Sequence, residues 1–228
     1  MIGFDEQVDL LQLLGGKLER EVECYAIGGT ALLFLGLKDS TKDVDLVFEK
    51  EEERKEIRKA LEKIGFKEPS KDGEFKIYRQ NEAIRIEPLI LEGHGSRFDL
   101  FLKDIISFKL SPAIKEDVEE KHEFEKLTVK VVSPEYILLL KCATDRKGDR
   151  LDAKKIIEGL NVDWDKIIEE AEWQTERGRK IFSVFLYDFL VEIEEDLSVE
   201  IPKKVMKKIR KIGERKMLDV LESKDDQE

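Results

Sequence analysis

The sequence has little cysteine and little histidine, with two residues of each among 228. Cys24 and Cys142 each lie inside an apolar run, so two buried free thiols are expected rather than a disulfide. Because His94 and His122 are the only histidines, a zinc cluster assembled from His and Cys is excluded. A disulfide framework and a structural zinc site are therefore both ruled out as the basis of the fold.

Long hydrophobic runs are also missing. No apolar stretch reaches the roughly 20 residues that a membrane-spanning helix needs. The N-terminus lacks the charged-then-apolar pattern of a secretory signal. The sequence therefore predicts a soluble, cytoplasmic protein.

Charge is abundant: 41% of the residues are charged, 41% are hydrophobic, and the net charge is −11. Such a high share of Lys and Glu, with few Asn and Gln, is typical of proteins from heat-loving organisms. The acidic balance argues against a protein whose whole surface coats nucleic acid. The basic segment 202–216 predicts either a helix that binds RNA or an acidic partner, or a solvated helix that balances an acidic body.

Hydrophobic periodicity divides the chain into a mixed half and a helical half, which we place at 1–130 and 131–228. We expect an α+β fold, with a mixed sheet and flanking helices followed by a mainly helical C-terminal domain. Strands are predicted at 22–27, 42–48, 74–80, 83–91, 97–105 and 127–134, with a hairpin turn at Asn81-Glu82. Helices are predicted at 4–21, 30–37, 51–65, 133–146, 151–160, 162–172, 173–196 and 201–223.

Two acids lie two residues apart in the predicted strand 42–48. Alternate strand side chains share a face, so Asp43 and Asp45 project together while Val44 and Leu46 enter the core. Two neighbouring carboxylates repel each other, and a divalent cation removes that cost. Oxygen ligands suit Mg²⁺, whose coordination is usually completed by water and substrate phosphates. The pair therefore predicts a site for Mg²⁺ or Mn²⁺.

Two glycines follow the predicted strand 22–27. Gly28 and Gly29 allow the backbone to approach a phosphate, the amides of the next helix point towards it, and Thr30 adds a hydroxyl. A Gly-Gly pair alone is a weak signal, and so is a lone Asp-x-Asp. Their combination, in the order strand, glycines, helix, loop and strand, is much more specific.

The segment IGGTALLFLGLKDSTKDVDLVF resembles the signature of the DNA-polymerase-β-like, minimal nucleotidyltransferase superfamily. Gly28 and Gly29 match the phosphate-side glycines, and Asp43 and Asp45 match the first two metal-binding carboxylates. The resemblance implies a third carboxylate on a neighbouring strand. We favour Asp99, in the apolar strand 97–105, over Glu87, which stands beside a proline. Alternatively, Asp99 is a solvent-facing strand residue.

The segment SPEYILLLKCATDRKGDRLDAKKII resembles a region of the abortive-infection type toxin nucleotidyltransferases. Lys141 matches the lysine that meets the triphosphate there. Arg146, Asp149 and Asp152 match the Arg-x-x-Asp-x-x-Asp-Ala pattern that follows it. Alternatively, Asp149 caps a helix and Asp152 pairs with Lys155 or Lys141.

The resemblance implies transfer of a nucleoside monophosphate from a nucleoside triphosphate such as ATP to a hydroxyl of RNA (tRNA), a protein or a small molecule. A toxin–antitoxin or defence context, with an antitoxin or a homodimer as partner, would follow from it. Asp43, Asp45 and Asp99 are the predicted catalytic and metal-binding residues. The predicted nucleotide-binding residues are Gly28, Gly29, Thr30, Lys42 and Lys141. The competing hypotheses are a catalytically inactive nucleotide-binding or antitoxin-like protein of the same fold, and a helical interaction protein.

Overall fold

A computed structural model describes residues 1–69, 88–105, 108–144 and 146–225. Over these residues the chain forms two compact units. The first contains Met1–Ile106 and Pro112–Ser133, and the second contains Ser107–Ser111 and Pro134–Glu228. The expected α+β class is confirmed, because a mixed sheet with flanking helices is followed by a helical region.

The described strands lie in the first unit, with one exception. They are β1 (Ile2–Gly3), β2 (Val22–Ala26), β3 (Ser40–Thr41), β4 (Asp43–Phe48), β5 (Leu89–Gly93), β6 (Ser96–Leu102), β7 (Asp104–Ile105), β8 (Phe108–Lys109), β9 (Val118–Phe124) and β10 (Leu127–Val132), of which β8 belongs to the second unit. The helices of the first unit are α1 (Phe4–Gly15), α2 (Gly28–Phe34), α3 (Glu51–Lys63) and α4 (Pro112–Glu116).

The main sheet of the first unit has the strand order β7–β6–β4–β2–β10–β9. Strand β5 lies outside this order and pairs antiparallel with β6. Two of its pairings are parallel, β4 with β6 and β2 with β10, while β2 and β4 are antiparallel. β1 and β3 form a separate two-stranded sheet. The parallel pairing of β4 with β6 is the one that positions the candidate site.

One face of the main sheet is apolar, and the other, called the polar face here, carries the polar and charged side chains together with buried residues such as Val47 and Phe101. The apolar face is packed against α3 through Ile57, Ala60 and Leu61, and its fully buried residues include Cys24, Val44, Leu46, Phe48, Phe98 and Leu100. On the polar face the Tyr25 hydroxyl donates to Glu49 (3.0 Å), which also accepts from Lys115 of α4 (2.5 Å). The acids of the candidate site lie on this polar face.

The second unit is helical beyond β8. Its helices are α5 (Pro134–Lys141), α6 (Lys147–Gly159), α7 (Trp164–Arg177), α8 (Phe182–Leu197) and α9 (Lys203–Asp225). The Asp163 side chain caps α7 by accepting from the amides of Asp165 and Lys166. The buried Glu170 accepts from Ser111 (2.8 Å) and Gln174 (2.7 Å), and burial raises the pKa of this carboxyl despite both bonds.

The prediction of one long helix at 173–196 is wrong. α7 ends at Arg177 and α8 begins only at Phe182. Gly178 terminates α7, and a Cβ at this glycine would lie 2.7 Å from the carbonyl oxygen of Gln174. The apolar period continues on both sides of the break, so the glycine was the only local signal of it.

Strand β9 was not predicted, because its sequence VEEKHEF is too highly charged for a core strand. It lies at the edge of the sheet and pairs with β10 alone among the described strands. Charged side chains protect such an edge from pairing with another chain. The predicted strand 74–80 and the hairpin turn Asn81-Glu82 lie outside the described residues.

Cys24 and Cys142 are both buried thiols that do not form a disulfide, as expected. Burial raises the pKa of the Cys24 thiol far above its ordinary value. Over the described ranges, no helix has the combined length and apolar character that crossing a membrane requires.

Gly15→Ala is predicted to destabilise the first unit, because a Cβ at residue 15 would lie 1.9 Å from the carbonyl oxygen of Phe124. The backbone of α1 or β9 must shift to remove this overlap, and overpacking of this kind costs about 1–3 kcal/mol. Gly16→Ala is the matched control, since the nearest atom to its Cβ is a Glu125 oxygen at 3.6 Å. Urea denaturation measures both variants, and equal midpoints would contradict the close approach of α1 to β9.

Candidate active site

The junction between β2 and α2 places two glycines against the next strand. Gly28 has a left-handed backbone (φ 56°), and a Cβ there would lie 2.8 Å from Oδ2 of Asp45. A Cβ on Gly29 would lie 2.3 Å from the hydroxyl oxygen of Thr41. Both positions therefore require glycine for reasons of space, and Gly28 also requires it for its backbone conformation. Helix α2 begins at Gly28, two residues earlier than predicted.

Thr30 joins α2 to β4. Its side chain is fully buried, and its hydroxyl accepts from the backbone amide of Asp45 (2.7 Å). This bond fixes the backbone beneath the Asp45 carboxylate, with Gly28 on its other side. In the structure Thr30 therefore positions an acid, and its contact with a nucleotide stays a prediction.

Three acids and one arginine share the polar face at the paired strands β4 and β6. The register places Asp45 opposite Asp99 and Asp43 opposite Arg97. Partners in a parallel pair point to the same side, as do residues two apart on one strand. Asp99 thus lies on the strand next to the Asp43–Asp45 pair. The competing residue Glu87 lies outside the described residues.

The guanidinium of Arg97 is bonded to Asp99 through two nitrogens. Nε donates to Oδ1 (2.6 Å) and Nη2 to Oδ2 (2.5 Å), while Nε lies 3.8 Å from Oδ1 of Asp43. The side chains of Arg97 and Asp99 are only 12% and 6% exposed, whereas that of Asp43 is 27% exposed. Burial disfavours the charge of Arg97, but the bonds to Asp99 and the negative charges of all three aspartates outweigh it and raise its pKa.

Arg97 was not among the predicted site residues, although the sequence held the signal for it. A basic residue two positions before Asp99 on a strand must share its face. The resemblance drew attention to the acids alone.

The donor set of the site suits a hard divalent cation. Asp43, Asp45 and Asp99 offer only carboxylate oxygens, and a positive group, the guanidinium of Arg97, already lies among them. In the arrangement seen, both oxygens of Asp99 are engaged by Arg97. Accordingly, over residues 1–69, 88–105, 108–144 and 146–225 no three His, Cys, Asp or Glu side chains converge on a common metal position. The residue types fit Mg²⁺, and in this arrangement Asp99 is paired with Arg97.

Lys141 lies within the second unit in a buried ion-pair network. Its ammonium donates to Asp149 (2.6 Å) and Asp152 (2.8 Å) and is 6% exposed as a residue. Asp149 also accepts from Arg146 Nε (2.9 Å) and from the Thr144 hydroxyl. This is the ion-pair alternative for the two acids: Asp149 does not cap α6, and Asp152 pairs with Lys141. Contact of Lys141 with a triphosphate stays a prediction. Lys42, beside Asp43, is exposed.

The family of the chain follows from a sequence comparison. The profile of the aminoglycoside-2″-adenylyltransferase family matches residues 9–156, about two thirds of the chain. The chain belongs to this family. It is therefore a nucleotidyltransferase, as the glycine and aspartate motifs indicated. The matched range contains every predicted site residue, from Gly28 to Lys141.

Two solved structures resemble the chain more distantly. ANT(2″)-Ia in complex with adenylyl-2″-tobramycin is 18% identical, with a TM-score of 0.39, and the likeness covers 82% of this chain and 98% of that one. An antigenic nucleotidyltransferase-like protein from Paracoccidioides brasiliensis is 18% identical, with a TM-score of 0.48, over 90% and 94%. Both scores are low, so the family assignment depends on the sequence match. No curated protein sequence matches, and the resemblance to abortive-infection toxins stays a prediction.

Lys141→Met is predicted to destabilise the second unit by about 3–5 kcal/mol, because it leaves Asp149 and Asp152 buried without their shared cation. Lys155→Met is the matched control: Lys155 is exposed on α6, the helix that carries Asp149 and Asp152, and its loss should change stability by less than about 0.5 kcal/mol. Chemical denaturation gives both values. A fully stable Lys141→Met protein with weakened ATP binding would instead show that Lys141 serves the nucleotide.

The difference between wild type and Lys141→Met should also depend on pH. Burial raises the pKa of Asp149, but Lys141 and Arg146 outweigh it and hold the pKa below the ordinary 3.8. A depressed carboxyl pKa contributes stability above the unfolded value, and this contribution is lost as the pH falls through the folded value. The stability difference should therefore hold at neutral pH and shrink as the pH falls below 3.8. A difference that grows with acid would contradict the ion pairing.

Proposed function

We propose that this nucleotidyltransferase transfers AMP from ATP to a hydroxyl of a small polycationic amino sugar and requires Mg²⁺ or Mn²⁺. The observation that carries the proposal is the register of β4 and β6, which puts Asp45 beside Asp99 and Asp43 on the same polar face. Three acids and one arginine on one face leave a net negative charge, which a divalent cation would neutralise. A triphosphate brings such a cation to the site.

Asp43, Asp45 and Asp99 are the residues that would hold the cation. When bound, it supplies positive charge that neutralises the triphosphate during transfer. Thr30 and Gly28 keep Asp45 in place by the hydroxyl bond to its amide and by close backbone approach. These contacts fix the backbone that carries Asp45 before substrate arrives, which lowers the reorganisation needed for reaction.

The reaction is an in-line displacement at the α-phosphorus. The acceptor hydroxyl oxygen forms a bond to phosphorus as the bond to the pyrophosphate breaks, and the electron pair leaves with pyrophosphate. The hydroxyl proton passes to the Asp99 carboxylate and from there to solvent. Asp99 suits this role because it lies one strand away from the Asp43–Asp45 pair and is largely buried.

The polyphosphate would lie along the glycine junction. Gly28 and Gly29 carry no side chain there, and Lys38 Nζ lies 4.0 Å from the position that a Cβ on Gly29 would take. Lys42 offers a second cation beside Asp43 from its exposed position. Both lysines can provide positive charge to phosphate oxygens without leaving the first unit.

The acceptor is proposed from the family and from charge. The matched family is named for adenylyl transfer to aminoglycosides, which are small polycations. A chain with a net charge of −11 attracts a polycation over long range and repels a polyanion such as tRNA. An amino sugar is therefore the favoured acceptor, ahead of the tRNA or protein acceptors and the antitoxin partner that the toxin resemblance would imply.

The bidentate Arg97–Asp99 pair supports a second candidate, a nucleotide-binding protein without transfer activity. Both oxygens of the proposed base accept hydrogen bonds from the guanidinium. If that pair persists in the presence of substrate, Asp99 accepts no proton and the chain binds nucleotide only. Turnover separates the two candidates.

Metal-dependent pyrophosphate release from ATP in the presence of tobramycin tests the proposal. We expect the rate with Mg²⁺ to fall at least about a hundredfold with EDTA, because the cation contributes several kcal/mol to transfer. The same loss is expected for the double variant Asp43→Asn/Asp45→Asn. Asp9→Asn, an exposed acid on α1, is the control and should retain the wild-type rate.

Three results would contradict parts of the proposal. Equal rates with and without metal would remove the cation from the mechanism. Label from α-³²P ATP appearing in tRNA and not in tobramycin would change the acceptor. ATP binding without any turnover on tobramycin, total tRNA or a protein lysate would favour the inactive alternative.

A further inference from the structure

Arg97 has no part in the mechanism above, yet it makes the closest ionic contact of the candidate site. Its Nε and Nη2, the two-nitrogen fork of the guanidinium, donate to the two Asp99 oxygens at 2.6 and 2.5 Å. Its Nε also lies 3.8 Å from Oδ1 of Asp43. The guanidinium therefore lies between two of the three proposed metal ligands. Parallel register opposite Asp43 and the two-residue spacing to Asp99 hold it there.

We propose that Arg97 is a built-in counter-ion that competes with the divalent cation for Asp99, so that the site binds metal tightly only together with a triphosphate. This inference rests on the proposed metal-dependent function. Without nucleotide, Arg97 neutralises the acids and keeps Asp99 away from Asp43 and Asp45. A cation that coordinates Asp99 must first break the two charge-assisted hydrogen bonds between Arg97 and Asp99.

A triphosphate changes the balance because it offers the guanidinium new partners. Arginine binds phosphate oxygens with the same two-nitrogen fork that it uses for a carboxylate. When Arg97 transfers to a phosphate, Asp99 becomes available to the cation carried by that phosphate. Metal and nucleotide then strengthen each other's binding, and the coupling must be equal in both directions.

Burial makes this competition effective. The side chains of Arg97 and Asp99 are 12% and 6% exposed, so water screens their pairing far less than that of a surface pair. The guanidinium of Arg97 stays charged at any ordinary pH, as arginine does in proteins. The counter-ion is therefore permanent, and only a competing cation with a new anionic partner for Arg97 can release Asp99.

Mn²⁺ binding to the full chain, measured by electron paramagnetic resonance with and without a non-hydrolysable ATP analogue, tests the inference. Arg97→Gln should bind Mn²⁺ about tenfold more tightly than wild type without nucleotide, since the competing charged fork is gone. Adding the analogue should increase the Mn²⁺ affinity of Arg97→Gln by a smaller factor than it increases that of wild type. Arg97→Lys, which keeps the charge but loses the fork, should fall between them.

Arg58→Gln is the matched control, because it removes one positive charge from an exposed ion pair with Glu62 on α3 and leaves the carboxylates untouched. Its Mn²⁺ affinity should equal that of wild type. Arg97→Gln should also melt at a lower temperature than wild type in EDTA. Adding Mn²⁺ should raise its melting temperature by more than it raises that of wild type. If the Gln variant does not fold in EDTA, the folded Lys variant provides the comparison.

Two results would overturn the inference, and they differ in what else they remove. In the first, wild type binds Mn²⁺ with the analogue, but without nucleotide the Arg97 variants bind Mn²⁺ no more tightly than wild type. That result would contradict only the role of Arg97. In the second, neither wild type nor any variant binds Mn²⁺, with or without the analogue. That result would contradict the proposed metal-dependent function as well.

Discussion

The parallel pairing of β4 with β6 is the constraint on which the candidate site depends. Its register sets Asp45 opposite Asp99 and Asp43 opposite Arg97, and strand alternation turns all four side chains to the polar face. A slip of one residue would send the acids of one strand into the apolar face. The buried residues Val44, Leu46, Phe98 and Leu100 prevent such a slip, because it would bring them out of the core. The core thus maintains the geometry of the site.

Close packing around Asp45 adds a second constraint. The Thr30 hydroxyl accepts a hydrogen bond from the Asp45 amide. The left-handed backbone of Gly28 lies so near that an added Cβ would be 2.8 Å from Oδ2 of Asp45. The motif that resembles a phosphate-binding signature therefore also has a structural purpose. Glycine and threonine are needed here to bring α2 and β4 together, whether or not a nucleotide is bound. The second unit also contains buried charges, and these are paired with one another in the Lys141–Asp149–Asp152 network.

Much of this arrangement could be predicted from the sequence, and the failures have physical causes. Regular alternation predicted β4 and β6, and the polar face of Asp43 and Asp45 followed from it. The strand β9 was missed because an edge strand carries charges that a core strand cannot. The helix 173–196 was overextended because periodicity does not register a single glycine break. Arg97 was missed because its partner is defined by the register with Asp99, and the resemblance supplied acids only. Lys141 shows the opposite difficulty, since a buried lysine looks the same in sequence whether it meets phosphate or carboxylate.

The central claim is that Asp43, Asp45 and Asp99 together hold a divalent cation on a triphosphate. A crystal structure with Mn²⁺ and a non-hydrolysable ATP analogue, examined by anomalous diffraction, tests it most directly. The account predicts a manganese peak within about 2.0–2.4 Å of oxygens from Asp43 and Asp45, with Asp99 turned from Arg97 towards the metal and Arg97 on a phosphate. A peak bound only by phosphates and water, with the Arg97–Asp99 fork unchanged, would contradict it.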